Sequence, residues 1–187
     1  SKYDEIAIDL ETKDPELKTM GSGSVTGKGR IVGIALAVTD WSGYYPIAHE
    51  GGGNMDEKKV LNYFRTILSL PARKIFHNAM YDVCFIRAAG LDIAGEIVDT
   101  MIAGSLVDEN RFRYDLGSMG RDYLGRGKNE AILAETAKEW GVDPKSEMYK
   151  LPAMYVGEYA ERDAELTLEL WEEMKKEIYV QDIEDIF

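Results

Sequence analysis

One nearly continuous apolar run, from Ile31 to Val38, constrains the fold of this chain more than any other stretch. Every residue in the run is aliphatic or glycine, so neither face of a strand formed here could be left in water. A strand that is buried on both faces belongs inside a sheet that other elements cover on each side. The run therefore predicts a layered domain in which helices cover the sheet.

The rest of the chain supplies strands and helices that fit this architecture. We expect strands at residues 3–10, 30–39, 44–48, 74–77 and 96–99. We expect helices between Asp56 and Pro71, at 79–89, 100–107, 115–124 and 130–140, and from about residue 156 to the end region. Residues 12–30 are polar and glycine-rich and predict a loop, and residues 40–43 predict a turn. This order predicts an α/β fold with a mixed sheet and helices on its faces.

The length and the net charge of the chain limit the classes of function that it could have. The 187 residues are long enough for one domain with a single core. The net charge of −12 argues against a protein that grips many phosphates, but not against one that reaches a few nucleotides through bound metal. The single cysteine, Cys84, excludes a disulfide within the chain and fits a reducing cytoplasm. No run of 18 apolar residues occurs, so the sequence does not predict a transmembrane helix.

Two acids stand on one face at the end of the first expected strand. Side chains alternate along a strand, so Asp9 and Glu11 point the same way. Two carboxylates this close repel each other unless a cation lies between them, and a hard divalent cation with oxygen ligands is the usual solution. A chain with 34 acids also produces such spacings by chance, so an acidic strand end that faces water is the alternative.

Two further stretches could complete an acidic cluster. Asn78 is expected to cap the helix at 79–89, and Asp82 to lie in its first turn. Tyr159 and Asp163 are four residues apart and share a face of the last helix. Ligands collect at the carboxyl ends of strands in layered α/β domains. We therefore expect the four acids of these three stretches to meet and to hold two Mg²⁺ or Mn²⁺ ions.

The three stretches read IDLET, HNAMYD and YAERDAELT, and together they resemble the exonuclease motifs of the DEDD superfamily in its tyrosine-containing branch. More narrowly, the chain resembles the 3′→5′ proofreading exonuclease domain of bacteriophage-type family A DNA polymerases. The segments DPELKTMGSGSVTGKGRIVGIALA and KLPAMYVGEYAERDAELTLELW strengthen the phage comparison, and the resemblance covers essentially the whole chain.

The resemblance implies a ribonuclease H-like fold, in which a mixed five-stranded sheet has helices on both faces. It implies that residues 1–187 are the exonuclease domain and that a longer DNA polymerase continues beyond them. The polymerase domain of the same parent chain is then the expected partner. The expected compartment is the cytoplasm of a bacterium or of a phage-infected host.

The resemblance also implies roles for the acids. Asp9, Glu11 and Asp163 would hold a first metal ion, and Asp9 would bridge to a second, on which Asp82 would act directly or through water. The first ion would lower the pKa of a bound water, and the second would stabilise the leaving 3′-oxygen. The product would be a 5′-mononucleotide, released from the 3′ end of single-stranded DNA.

The remaining implied residues contact water or nucleic acid. Tyr159 would orient the attacking water, and it need not be the base, because an unperturbed phenol titrates at about 10. The resemblance implies catalytic roles for Asp9, Glu11, Asp82, Tyr159 and Asp163. It implies nucleic-acid contacts for Leu10, Thr12, Asn78 and Tyr159.

Several alternatives stay open at this point. A free-standing RNase D-like 3′→5′ exoribonuclease would share the same site. A non-enzymatic remnant of the fold is a third possibility, against which the presence of all four acids speaks. Asp99 resembles a residue often found in the family, and no role is assigned to it. A dense basic stretch is either a solvated face or a set of phosphate contacts; it comprises Arg111, Arg113, Arg121, Arg126 and Lys128.

Overall fold

The computed structural model of the chain describes residues 3–128, 130–183 and 185. The strands in this part of the chain are β1 (Glu5–Lys13), β2 (Arg30–Val38), β3 (Trp41–Pro46), β4 (Arg73–Phe76) and β5 (Ile97–Asp99). They form one sheet in the order β3-β2-β1-β4-β5. β1 pairs antiparallel with β2 and parallel with β4, so the predicted mixed five-stranded sheet is confirmed.

Helices make up most of the rest. The helices in the described residues are α1 (Leu17–Met20), α2 (Gly23–Thr26), α3 (Glu57–Leu68), α4 (Ala79–Ala88), α5 (Thr100–Val107), α6 (Leu116–Leu124), α7 (Ala131–Trp140) and α8 (Ala153–Gln181), with a 3₁₀ turn at Met148–Lys150. Across the described residues, none of these helices is both long and apolar enough to cross a membrane.

The two faces of the sheet carry different side chains, because alternate residues of each strand point to opposite sides. One face is built from large aliphatic residues such as Ile8 and Ile34, and α3 and α4 cover it. The other face is built largely from alanines, among them Ala7 and Ala35, and α5, α6 and α8 cover it. Small residues let a helix approach the sheet closely, and α8 itself contributes Ala160 to this contact. The predicted helices on both faces are confirmed.

Several boundaries differ from the sequence prediction. β1 runs on to Lys13, because β2 continues to pair with it down to Arg30. β3 starts at Trp41, which pairs with Val38, so the hairpin turn is only two residues long and the predicted turn at 40–43 is wrong. The loop predicted at 12–30 contains the short helices α1 and α2. The last helix starts at Ala153, a turn earlier than predicted.

Near its C-terminal end, β1 no longer pairs with β4 and stays paired only with β2. Its parallel pairing with β4 stops at Ala7, whereas its antiparallel pairing with β2 continues for six more residues. The register shifts between Glu11 and Thr12, where a bulge redirects the strand. Asp9 pairs with Ala35 and so lies on the alanine face, toward α8. This end of β1, beside the point where β4 gives way to α4, is where the functional side chains gather.

Candidate active site

Three elements bring four carboxylates together. Asp9 and Glu11 lie on β1 beyond the last residue that pairs with β4, and both line a cleft of about 820 Å³. Asp163 on α8 lines the same cleft and is 3% exposed. Asp82, in the first turn of α4, is 5% exposed and does not line the cleft. Three of the four predicted acids therefore line one cleft, and Asp82 is set back from the cleft wall.

Burial, followed by the neighbouring acids, raises the pKa of Asp9, Glu11 and Asp82. Burial raises the pKa of Asp9 to about 7, with Asp163 adding to the shift and Lys128 opposing it. Burial, Asp9 and Asp163 raise the pKa of Glu11 well above its usual range. Burial, followed by Asp9 and Glu11, raises the pKa of Asp82 as well. Such mutual repulsion in a buried site favours a bound cation, which would restore the charged form of each group.

One member of the basic stretch, Lys128, lies inside this acidic cluster, which its position in the sequence did not indicate. The Lys128 ammonium forms an ion pair with the Asp163 carboxylate and donates a hydrogen bond to the Tyr159 hydroxyl over 3.0 Å. Burial opposes the charge of this lysine, but Asp163, Tyr159 and Asp9 raise the pKa of Lys128 above its usual range. The lysine therefore stays charged and partly neutralises the acids around it.

Hydrogen bonds to neighbouring elements fix the helices that carry the acids. The Tyr81 hydroxyl, next to Asp82, donates to the Asp14 carboxylate over 3.0 Å and lies 2.9 Å from the Thr12 hydroxyl, which ties α4 to the end of β1. On α8, the Glu161 carboxylate accepts a 3.0 Å hydrogen bond from the backbone N–H of Tyr44 on β3. These bonds hold both helices against the sheet.

Asp99, to which no role was assigned, caps two helices. Its carboxylate accepts hydrogen bonds from the backbone N–H groups of Asn78 (2.9 Å) and Ala79 (2.8 Å) at the start of α4. It also accepts one from Met101 (2.9 Å) at the start of α5. Asn78 occupies the N-cap position of α4, as predicted, but it has a φ of 65° and its side chain makes no cap hydrogen bond. With φ positive, the Asn78 backbone N–H is directed to Asp99 instead.

The residues predicted to contact nucleic acid lie in different settings. Asn78 and Tyr159 line the cleft, and Asn78 is exposed. Leu10 also borders the cleft, but its side chain is 7% exposed and belongs to the core beneath α3 and α4. The Thr12 hydroxyl is engaged by Tyr81. For Leu10 and Thr12 the backbone is therefore the more available group.

The basic residues from Arg111 to Lys128 fall into two groups, those that pair with acids outside the cleft and those that line the cleft. Arg111 pairs with Asp122 over 2.6 Å, and Arg126 pairs with Glu169, so these two arginines meet acids of the protein itself. The members that line the cleft are Arg113, Arg121 and Lys128, and Lys145 joins them from outside the stretch. Of the stretch, only the members that line the cleft are placed where phosphate contacts could form.

The acidic side chains at the cleft are of the type that binds a divalent cation. Carboxylate oxygens are the ligands that Mg²⁺ and Mn²⁺ prefer. One oxygen of Asp163, Oδ1, is buried without a hydrogen-bond partner among the described residues, and it is free to accept a cation. Within residues 3–128, 130–183 and 185, however, no three acidic, histidine or cysteine side chains are already close enough to hold an ion.

Asp9 and Glu11 on β1 and Asp163 on α8 line one cleft, and Asp82 on α4 lies behind it. Carboxylates gathered at a cleft in this way are typical of a metal-dependent hydrolase. Comparison with known proteins narrows this class. Residues 1–179 match a family model of DNA polymerase A proteins that is described as 3′-5′ exonuclease. A DNA-directed DNA polymerase of Pseudomonas phage M6 is 35% identical to this chain over 187 residues, which cover 97% of the chain and 28% of the phage protein. The chain thus spans little more than a quarter of this relative.

Solved structures show the same fold at low identity. Brucella melitensis NrnC with bound Mg²⁺ is 17% identical, with a TM-score of 0.65 over 98% of this chain and 78% of that one. Escherichia coli RNase D, an exoribonuclease, is 17% identical, with a TM-score of 0.62 over 96% of this chain and 40% of that one. These likenesses confirm the predicted ribonuclease H-like fold. The family match goes further: this chain belongs to the 3′-5′ exonuclease family of the DNA polymerase A proteins. The exonucleases of this family are metal-dependent hydrolases.

Proposed function

We propose that residues 1–187 form the proofreading 3′→5′ exonuclease domain of a longer DNA polymerase. The domain would hydrolyse the terminal phosphodiester bond of single-stranded DNA and release 5′-mononucleotides. The observation that carries the proposal is the meeting of Asp9, Glu11 and Asp163 at one cleft, with Asp82 beside them. The relative from Pseudomonas phage M6 is a DNA polymerase, which supports DNA as the substrate and a polymerase domain as the partner. The cytoplasm in which phage DNA is copied is the compartment that fits.

In this proposal the four acids hold two divalent ions, Mg²⁺ or Mn²⁺. Asp9, Glu11 and Asp163 line the cleft and are the ligands nearest the substrate, while Asp82 supports them from behind the cleft wall. Bound divalent ions would supply a water of lowered pKa and stabilise the charge on the leaving oxygen.

Tyr159 has the role of orienting the water rather than taking its proton. Burial, then Asp163, raises the pKa of Tyr159 above its ordinary value, although Lys128 opposes the shift. The hydroxyl therefore keeps its proton at neutral pH. A neutral hydroxyl that already makes a 3.0 Å hydrogen bond to Lys128 is fixed in place and can position a water by a second hydrogen bond.

The cleft suits a single strand with a free 3′ end. Its cationic side chains, Arg113, Arg121 and Lys145, lie along the cleft and can meet a few phosphates. Asn78 is exposed at the same cleft, where its amide can contact a terminal nucleotide. Because the chain as a whole carries a net charge of −12, duplex DNA would be held weakly outside this cleft.

The experiment compares Asp9→Asn with the wild-type chain on 5′-labelled single-stranded DNA and on RNA of the same sequence, with Mg²⁺. We expect wild type to shorten the DNA from its 3′ end and Asp9→Asn to lose at least about a hundredfold in rate. We expect the metal-free melting temperature to stay the same or rise, because one charge is removed from a repulsive cluster. Asp92→Asn, an exposed acid outside the cleft, is the matched control and should keep full activity.

Three results would contradict the proposal. Asp9→Asn activity within tenfold of wild type would show that Asp9 is not at the centre of the reaction. Internal cleavage, or products that carry 3′-phosphates, would exclude a 3′→5′ exonuclease. Faster degradation of RNA than of DNA would favour the RNase D-like alternative.

A further inference from the structure

Lys128 is the one cationic residue that contacts Asp163 in the described part of the chain, and neighbouring residues hold it in place. Lys128 follows α6, and Arg126, two residues before it, is anchored on both sides. The backbone N–H of Arg126 donates to the Gly120 carbonyl of α6 over 3.2 Å, and its side chain pairs with Glu169 of α8. The stem of Lys128 passes Gly117, where an added Cβ would lie 3.7 Å from the lysine Cγ. This segment therefore delivers the ammonium to the acidic cluster.

Lys128 contacts only one of the two carboxylate oxygens of Asp163. Its ammonium pairs with Oδ2 of Asp163 and donates to the Tyr159 hydroxyl, while Oδ1 of Asp163 is left without a partner among the described residues. The Lys128 side chain is 23% exposed and that of Asp163 only 4%, so the ion pair has one side open to the cleft. A cation that arrives through the cleft would thus meet Asp163 from the side that Lys128 also uses.

An ammonium and a divalent ion compete for such a carboxylate. Both need its oxygen lone pairs, and two cations at one carboxylate repel each other strongly in a partly buried site. Without any cation, the buried Asp163 would be an uncompensated charge, which is costly. In the described residues no three ligand side chains are yet close enough to hold an ion, so Lys128 is the charge that balances the cluster in the structure.

We infer that Lys128 is a positioning residue that holds Asp163 and Tyr159 in place in the metal-free protein and leaves Asp163 when a divalent ion binds there. The inference rests on the proposed metal-dependent function. It means that the lysine keeps the site folded before metal arrives and weakens metal affinity by competing with it.

The test measures metal affinity and stability rather than activity alone. Lys128→Met keeps most of the stem and removes the charge, and Lys128→Arg keeps the charge. Lys176→Met is the matched control, because Lys176 pairs with Glu173 on an exposed part of α8 and its loss changes the net charge equally. We expect Lys128→Met to bind Mn²⁺ about threefold to thirtyfold more tightly than wild type by calorimetry, the effect of removing one cation from a partly buried site. Lys176→Met and Lys128→Arg should bind nearly as wild type does.

Thermal melting separates this role from a simple structural one. We expect Lys128→Met to melt below wild type in EDTA, because Asp163 loses its only described cation, and to recover most of the difference in Mn²⁺. A lysine with a purely structural role would lower the melting temperature equally under both conditions, and that result would overturn the inference. Unchanged or weaker Mn²⁺ binding by Lys128→Met would overturn it as well.

A measurement on wild type covers the case in which Lys128→Met does not fold. The Lys128 ammonium resonance, assigned by its absence in Lys128→Arg, should shift when Mg²⁺ is added, because the ammonium leaves Asp163. A resonance that does not move while Mg²⁺ binds would overturn the inference and leave the proposed function intact. If wild type binds neither Mn²⁺ nor Mg²⁺ and cleaves nothing, the proposed function fails together with the inference.

Discussion

Tyr159 and Asp163 lie one helical turn apart on α8 and share a neighbour, Lys128, yet their side chains can do different things. The phenol is neutral because burial and Asp163 raise its pKa, so it contributes no charge to a divalent ion. The carboxylate has a buried oxygen that no other described group occupies. The same helical segment therefore offers an orienting hydroxyl and a metal ligand.

We expect Tyr159→Phe to lower the cleavage rate and to leave metal affinity nearly unchanged. Loss of an orienting hydrogen bond costs roughly 10- to 1000-fold in rate, by analogy with other positioning groups. Asp163→Asn should lower both rate and metal affinity, because it removes one negative charge and one ligand. Calorimetric titration with Mn²⁺ and single-turnover cleavage, done on both variants, measure the two effects. Equal losses of metal affinity in the two variants would contradict the role given to Tyr159.

At the scale of single residues, the acids could be predicted from the sequence and Lys128 could not. Asp9 and Glu11 are marked by strand alternation, and Tyr159 and Asp163 by helical spacing, which are local patterns. The contact of Lys128 with Asp163 joins residues 35 positions apart and depends on how the segment after α6 folds against α8. Nothing near Lys128 in the sequence distinguishes it from the other basic residues of its stretch, which face other acids or the open cleft.

At the scale of elements, one carboxylate joins β5 to two helices. Asp99 is the last residue of β5, and it accepts backbone hydrogen bonds from the starts of both α4 and α5. The start of α4 carries Asp82 in its first turn, so the cap also sets the position of a site acid. A cap of this kind satisfies backbone N–H groups that the first turn of a helix leaves without partners.

We expect Asp99→Ala to lower the free energy of unfolding by about 2 to 4 kcal/mol, since several buried backbone donors lose their acceptor at once. Asp56→Ala is the control: Asp56 caps α3 on the surface through one 2.8 Å hydrogen bond from the Lys59 N–H. Its loss should cost only about 1 kcal/mol. Urea unfolding of both variants measures the difference. A cost for Asp99→Ala no larger than that for Asp56→Ala would mean that the double cap contributes little.

The periodicity of apolar residues predicted which segments are strands and which are helices. It predicted less accurately where each strand or helix begins and ends. The apolar run of β2 and the apolar face of α3 are strong local signals, and both elements form as predicted. The extra length of β1 comes from its pairing with β2, and the start of β3 comes from the match of Trp41 with Val38. The ends of a strand depend on its pairing partner, whether that partner lies further along the chain, as for β1 and β2, or directly across a tight turn, as for Trp41 and Val38. The residues at the strand ends do not encode this pairing by themselves. Asn78 illustrates the same limit: it takes the predicted N-cap position, but the carboxylate that accepts the cap hydrogen bonds belongs to Asp99, 21 positions away.

At the scale of the whole molecule, charge is distributed unevenly. The chain carries 34 acids against 22 lysines and arginines, yet the cleft is lined by Arg113, Arg121, Lys128 and Lys145 as well as by acids. A strand that enters the cleft can therefore contact a few cations, whereas the rest of the surface repels it on average. Affinity for DNA should come from a short stretch near the 3′ end.

This distribution of charge predicts that the affinity for single-stranded DNA depends only weakly on salt concentration. A single strand releases about 0.7 counterions for each phosphate that is neutralised, so three or four cleft cations give a slope of roughly −2 to −3 for the logarithm of affinity against that of salt concentration. The measurement is fluorescence anisotropy of a labelled single strand, with the Asp9→Asn variant so that the strand is not degraded. Arg113→Gln should weaken binding and reduce the slope by about 0.7. Arg65→Gln removes the same charge from α3, where Arg65 contacts Asn62 and does not line the cleft, and it should change neither quantity. If the two arginine variants weaken binding equally, the strand does not run through the cleft, and the acids at its end would need another route to their substrate.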